Sequence, residues 1–488
     1  MTKPIPALRG SAYRYFDEEA LPSLSDYVKI ENISPAFDPR GETVSETHVA
    51  VRHLRQWART HTPPGTKISK LSRVENAPML VIDIPGTADG DVLLFGHLDK
   101  FPAAPDWDEG LGSYKPVIRD QKLYGRATSD GGFAPYSYLS AIGALAELDI
   151  PYPRCLIAVE TSSKSHGIHL ARYFVDLRAL CEKPDLIISL DAGCGDYERL
   201  WYTTGYRGLI EGHLSVKMLE KIAHSSNSGL APSALGIAFE LLGRVCDLSS
   251  GHMKLDSLAA RRPLHMTTGG AETDAVAGRF FLDRAEIGRH VPGITDDPEA
   301  AAMLPVWNAS LNIAGIQGLS SSDLTGGVLP AEVILKIAVR TPPDCDCPAA
   351  ISELEEALVE RPPYNAAVDF SPSNMLPGWH PGELPAWLKR SVNTASAEFF
   401  GKEATGWAIG GAYPEIEIIA QEFEDAPILM TGVMGPDANF HVADESLDLP
   451  AARSMTASIA RILADLVMPG PPSGIGVESL ETVAENPI

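Results

Sequence analysis

The feature that most constrains this chain is an alternation of short apolar runs with longer amphipathic stretches over its first 200 residues. The segments 79–84, 92–95, 155–159 and 186–190 are four to six residues long, too short for helices and rich in branched side chains. Between them, 44–60, 136–148 and 170–180 carry apolar residues at helical spacing. Runs of this length separated by helical patterns predict an α/β unit with a largely parallel sheet. Polar residues cluster just past the ends of the runs: His97 and Asp99, then Glu160 to Lys164, then Asp191. In open α/β sheets ligands and catalytic groups collect at that edge.

Near Gly205–Gly208 the pattern changes. Residues 209–370 hold longer alternating segments, such as 332–340, and two helical stretches, 231–244 and 349–359. That mixture predicts a separate α+β unit inserted into the first. After Pro372 the α/β pattern resumes, with a helix over 384–400, a strand over 428–431 and a helix over 451–466. The expected division is residues 1–207 and 373–467 as two parts of one catalytic domain, 208–372 as the insertion, and 468–488 as a disordered tail rich in Pro, Gly and acidic residues.

Charge narrows the range of partners. The 64 acidic residues outnumber the 40 basic ones, a net −24, which repels both a phosphate backbone and an anionic membrane surface. No nucleic-acid or membrane partner is expected. No apolar run approaches the roughly 20 residues that span a bilayer, and the first 20 residues lack the apolar stretch of a secretory signal. Six cysteines in a chain of 488 residues do not make a disulfide framework, and Cys345 and Cys347, one residue apart, are badly spaced for a bridge. The expectation is a cytoplasmic protein.

His97, Asp99, Asp130, Asp191 and His441 form a candidate ligand set, since imidazole and carboxylate groups suit zinc, cobalt or manganese. A histidine alone is usually a satisfied loop residue, but these lie near glycines and strand ends where side chains converge. The runs LLFGHLDKFP (93–102) and KLYGRATSDGG (122–132) are followed in order by LIISLDAG (186–193), AHSSNSG (223–229), ILKIAVRTPPD (334–344), GGAYP (410–414) and NFHVADE (439–445). Together they resemble the zinc metallopeptidase and deacylase family that includes carnosine-type dipeptidases, aminoacylases, acetylornithine deacetylase, succinyl-diaminopimelate desuccinylase and carboxypeptidase G. The resemblance implies a zinc-aminopeptidase-like catalytic domain with a mixed sheet and flanking helices, interrupted by a lid domain that mediates homodimerisation. It implies cleavage of a C–N bond in a small molecule. It also implies His97 and Asp191 on one metal, His441 on a second and Asp130 between them, with Asp99 orienting His97. His224 matches a lid histidine offered to the substrate carbonyl, often across the dimer interface. Arg340 matches a carboxylate clamp, and Gly410, Gly411 and Tyr413 belong to the substrate-binding turn.

One departure from the family bears on the chemistry. The family carries an adjacent Glu–Glu pair, a general base followed by a metal ligand. Counted from Asp130, the pair falls at positions 163 and 164, which hold Ser163 and Lys164, and the only carboxylate nearby in sequence is Glu160. A serine has no basic group at neutral pH, and such a base is worth about 10²–10⁴-fold in rate. A protonated lysine has no lone pair to ligate a cation and repels one beside it. The expectation is that the Lys164 ammonium occupies the second metal's place, pairs with Asp130, and leaves His97, Asp130 and Asp191 as a one-ion site. The alternatives are a lysine turned to solvent, a carboxylated lysine acting as ligand, and a Ser163–Lys164 nucleophilic dyad. One zinc is favoured over two, with cobalt, manganese or no ion as alternatives. Ala408, Ile409 and Ala412 make the GGAYP neighbourhood apolar, which suits an uncharged part of the substrate. His166 and His169 read as a solvated helix face, and Trp107, Trp307 and Trp407 as core packing. The function expected is a diverged amide- or peptide-cleaving enzyme acting on a carboxylate-bearing small molecule, with ordinary water activation weakened or redirected. A standard dipeptidase or deacylase, a non-hydrolytic acyl-transfer, condensation or cyclisation enzyme, and a catalytically silent binding protein are the alternatives.

Overall fold

A computed structural model describes residues 5–259, 270–285, 290–319 and 327–468. The expected short runs become strands: Lys67–Leu71 (β1), Met79–Ile84 (β2), Asp91–His97 (β3), Arg154–Glu160 (β4), Leu186–Leu190 (β5) and Trp201–Tyr206 (β6). After the insertion, Thr405–Ile409 and Ile428–Thr431 (β11 and β12 in chain order) return to the same sheet. Its order is β1-β2-β4-β3-β5-β12-β6-β11. The centre, from β4 through β3 and β5 to β12, is parallel. The pairs β1–β2, β2–β4 and β12–β6 are antiparallel, so the sheet is mixed rather than largely parallel. A short link between β1 and β2 forces that hand, because a parallel pair needs a crossover of a dozen or more residues.

The central strands are buried along nearly their whole length, as both faces carry helices. Alternate residues divide between two cores. Leu80, Ile82, Leu94, Ile157 and Ile188 face the helices Ala134–Glu147 and Leu449–Val467, whereas Val81, Leu93, Leu156, Ala158 and Ile187 face Phe174–Leu180 and Pro414–Glu422. The stretch expected as one helix over 170–180 is a 3-10 turn, Leu170–Tyr173, leading into Phe174–Leu180. The N-terminal helices Ile5–Arg14 and Leu21–Val28, joined by the wide turn Tyr15–Ala20, were not expected. They bury Leu8, Ala12, Phe16, Ala20 and Leu24, one residue in every four, in the first core.

The inserted region forms its own antiparallel sheet from Gly208–Lys217 (β7), Ser310–Gln317 (β8), Glu332–Thr341 (β9) and Ala367–Leu376 (β10), in the order β8-β9-β7-β10. Helices Ala234–Val245 and Cys347–Val359 cover it around a third core. A further helix, Gly270–Arg284, sends Ala277 and Phe280 into the second core beside Trp407, so the insertion reaches down onto the large sheet. Among the described residues no helix is long and apolar enough to cross a membrane. All six cysteines are free. The expected tail lies almost wholly outside the described residues.

Candidate metal centre and active site

His97 ends β3 opposite Glu160, the last residue of β4, while Asp191 follows β5 directly. Three neighbouring parallel strands thus deliver their polar ends to one edge. Asp130 arrives from the loop before helix Ala134–Glu147. One ligand atom from each of His97, Asp130 and Asp191 lies within 4.8 Å of the others, and all three residues are buried. Among the described residues, His97 Nε2 and Asp191 Oδ1 make no hydrogen bond despite their burial, His97 Nε2 standing 3.5 Å from Asp191 Oδ2, an expensive arrangement unless something else satisfies them. The backbone is shaped around the imidazole: Gly131 has φ +77°, and a Cβ there would stand 1.9 Å from His97 Nε2. With His97 neutral, as a metal ligand must be, Asp99, Asp130 and Asp191 against Lys164 leave two surplus negative charges, which one divalent cation would cancel. Burial and Lys164 oppose charge on His97, yet Asp191 and Asp99 lift its pKa to about 10. The anionic field that retains a proton there also favours a metal ion. This donor set fits one.

Lys164 points inward. Its Nζ lies 2.8 Å from Asp130 Oδ1 and 3.4 Å from Asp191 Oδ2, with 8% of the side chain exposed. Burial works against the ammonium, but Asp130 and Asp191 hold its pKa well above the ordinary lysine value. Neither the solvent-facing lysine nor a carboxylated one suits an amine paired with two carboxylates. Asp99 explains the placement. Its carboxylate accepts from the backbone N–H of Ser163 at 3.1 Å and of Lys164 at 2.8 Å, and its Oδ1 stands 3.4 Å from His97 Nδ1. One residue therefore orients the imidazole and fixes the turn that aims Lys164.

His441 Nε2 is 3.1 Å from Asp130 Oδ2, but its side chain is 42% exposed and stands outside the three-ligand cluster. His441 adopts φ +73° and its ring packs on Phe101 and Phe440.

Glu415 is the site residue that the sequence motifs do not reveal. It is buried as the second residue of helix Pro414–Glu422 and accepts a 2.8 Å hydrogen bond from Ser163 Oγ. Burial raises its carboxyl to about 7 against the pull of Lys164. Glu160, by contrast, is pushed well above the carboxylate range by burial, Glu415 and Asp99, and accepts from Ser162 Oγ at 3.2 Å. Glu160 is thus not the only carboxylate at hand, because Glu415 reaches Ser163 from 252 residues away in sequence. The available signal was its position directly after the GGAYP turn.

A cleft of about 470 Å³ opens over these groups. Phe280, Phe281, Trp407 and Phe440 line one wall, with Arg340, Gly410, Gly411 and Tyr413 among the others. Arg207 supports the turn by donating to the Gly410 carbonyl at 3.3 Å. Trp407 thus both packs in the core and faces the cleft, while Trp307 sits in a small cluster with Val306 and Ala408. His166 lines the cleft from the left-handed residue that closes the Ser163–Ser165 turn, so it does not share a helix face with His169. His224 does not reach this cleft within the chain; it is exposed, with Nδ1 bonded to Ser226.

The chain is 23% identical over 440 residues to a cysteinylglycine-S-conjugate dipeptidase of Corynebacterium striatum, covering 86% of this chain and 93% of that one. Its architecture overlays human carnosine dipeptidase 1 with a TM-score of 0.71 at 21% identity, covering 95% of this chain and 100% of the other. An M20 family metallo-carboxypeptidase of Sulfolobus solfataricus gives 0.70 at 16% identity, covering 91% and 99%. The fold is that of the M20 metallopeptidases. No protein-family model matches the chain.

Proposed function

We propose that this chain is a metal-dependent amide hydrolase acting on a small peptide-like or N-acyl amino acid substrate that bears a carboxylate. One observation carries the reading: His97, Asp130 and Asp191 converge as a buried, under-satisfied trio while Lys164 occupies the flank where a second ion would be ligated. His97, Asp130 and Asp191 would hold one divalent ion, zinc first, with cobalt and manganese as alternatives. Bound there, the ion supplies Lewis acidity to the scissile carbonyl and lowers the pKa of water.

The protein's own groups do the rest. Asp99 fixes the His97 ring through Nδ1, leaving Nε2 as the donor. Lys164 keeps a fixed positive charge beside Asp130, which attracts negative charge developing on the substrate. Arg340 offers a planar fork to a substrate carboxylate, and the aromatic wall takes an apolar portion and excludes water. Ser163 has no basic group, so activation of water is redirected from the ordinary family route. The units are residues 1–207 with 373–467 as the catalytic domain and 208–372 as the lid, through which two copies pair. Pairing would bring the partner's His224 to the substrate carbonyl as an oxyanion donor. A cytoplasmic setting agrees with the free cysteines.

The test is reconstitution. Protein stripped with a chelator and reloaded with zinc is expected to hydrolyse members of a panel of dipeptides and N-acyl amino acids, with no turnover in the stripped form. Zinc-loaded protein that cleaves none of them would overturn the reading.

A further inference from the structure

We infer that Glu415 is the general base of this site, delivering from the helix after the GGAYP turn the carboxylate that the end of β4 lacks. The inference rests on the amide-hydrolase reading and names the group that completes it.

Several independent features place Glu415 for that task. Its side chain lies in the wall of the same cleft as Asp130, Lys164, Asp191 and His441. Ser163, at the position of the missing base, donates its hydroxyl to Glu415 Oε1 at 2.8 Å, so the substituted residue holds the substituting one. The backbone is cut to fit: Gly167 has φ +59°, and a Cβ on it would meet Glu415 Cγ at 2.9 Å. A carboxylate in the first turn of a helix is also favoured by the positive N-terminal end of that helix. The charged and titratable groups facing it are Lys164 from the Ser163–Ser165 turn, Asp191 after β5, Glu160 at the end of β4, Tyr413 before the helix and Tyr206 from β6. Of these only Lys164 is cationic. Burial, with Asp191 beside it, leaves the Glu415 carboxylate a better proton acceptor than a solvated one, as a base working at neutral pH should be.

The step balances. A water oxygen forms a bond to the amide carbon while the carbonyl π pair moves onto oxygen, and the water proton passes to Glu415. On collapse the C–N bond breaks, the Glu415 proton moves to the departing nitrogen, and an acid and an amine leave. Glu415 ends as it began. Ser163 is a positioning residue that holds the carboxylate through Oε1.

Glu415→Gln tests this cleanly, because the amide oxygen can still accept from Ser163 and the volume is unchanged. In zinc-loaded protein, kcat is expected to fall at least 100-fold, with KM and zinc content kept and the thermal midpoint not lowered. Glu415→Asp is expected to retain part of the rate. Adding Ser163→Glu to the Glu415→Gln background returns a carboxylate to the β4 end and is expected to recover at least tenfold. A crystal structure with the product amine bound is expected to show its nitrogen within hydrogen-bonding distance of Glu415. A Glu415→Gln enzyme within threefold of the wild type, or a loss of rate explained by lost zinc or lost folding in both Glu415 variants, would overturn the inference. A wild type that holds zinc but cleaves no substrate would sink the hydrolase reading, and this inference with it.

Discussion

Lys164 and Glu415 are two charge exchanges in one small volume, and each makes a distinct prediction. Lys164→Glu restores a ligand type beside Asp130 and His441, so zinc-loaded protein is expected to gain a second ion per chain by elemental analysis; a count unchanged from wild type would contradict the role given to the lysine. Removing the ammonium without replacement, as in Lys164→Met, leaves Asp130 and Asp191 buried without their cation, and ion-free protein is expected to lose about 3–5 kcal/mol by denaturant titration. Glu415 titrates near 7 and must be ionised to accept a proton, so kcat/KM is expected to fall as pH drops below about 7. Its folded pKa lies above the ordinary carboxylate value. It therefore favours the fold below that value and loses the contribution as pH rises through about 7. Wild type should accordingly lose melting temperature relative to Glu415→Gln, which does not titrate, as pH rises through that window, and a flat difference would contradict the raised pKa. Ser163 and Lys164 were legible in sequence because they stand at a fixed distance from Asp130. Glu415 was not, since no local pattern links residues 252 positions apart.

At the scale of elements, the site depends on strand ends and tight loops. The runs forming β2 to β5 were legible because their length excludes helices and polar residues stop them at the catalytic edge. The mixed hand of the sheet was not legible in the runs themselves, which look alike in either direction, and came only from the family resemblance. The N-terminal helices escaped notice since their buried stripe repeats every fourth residue with Gly10 and polar residues between, a weak signal before packing is known. Helix Gly270–Arg284 escaped because its neighbours in sequence belong to the insertion while its packing partner, Trp407, does not. Gly131 shows how tightly the loop is drawn around His97. Gly131→Ala introduces a Cβ 1.9 Å from Nε2 and a side chain at φ +77°. It is expected to cost about 10–100-fold in zinc affinity by competition titration, and unaltered affinity would show that His97 is not a ligand.

For the whole molecule, the eight-stranded sheet carries the candidate site at its edge, while the four-stranded sheet of the insertion has a core of its own, and the proposal that two copies pair through the insertion is tested on the assembled protein. Scattering-coupled gel filtration is expected to give a dimer. Mixing inactive His224→Ala protein with inactive Asp191→Ala protein is expected to regenerate activity, because a mixed dimer contains one cleft with both groups intact; no recovery on subunit exchange would place His224 outside the reaction. The outline of the fold and the His97, Asp130 and Asp191 cluster could be read from motifs in their order along the chain, but the lining of the cleft by Phe280 and Phe281 is a property of the folded chain. On the proposed reading, one divalent ion and the Lys164 ammonium share the space two ions would fill. Anomalous diffraction at the zinc edge from crystals grown with excess zinc tests it directly: one peak among His97, Asp130 and Asp191, with Lys164 Nζ still against Asp130, is the predicted map. A second peak between Asp130 and His441, with Lys164 displaced, would contradict it.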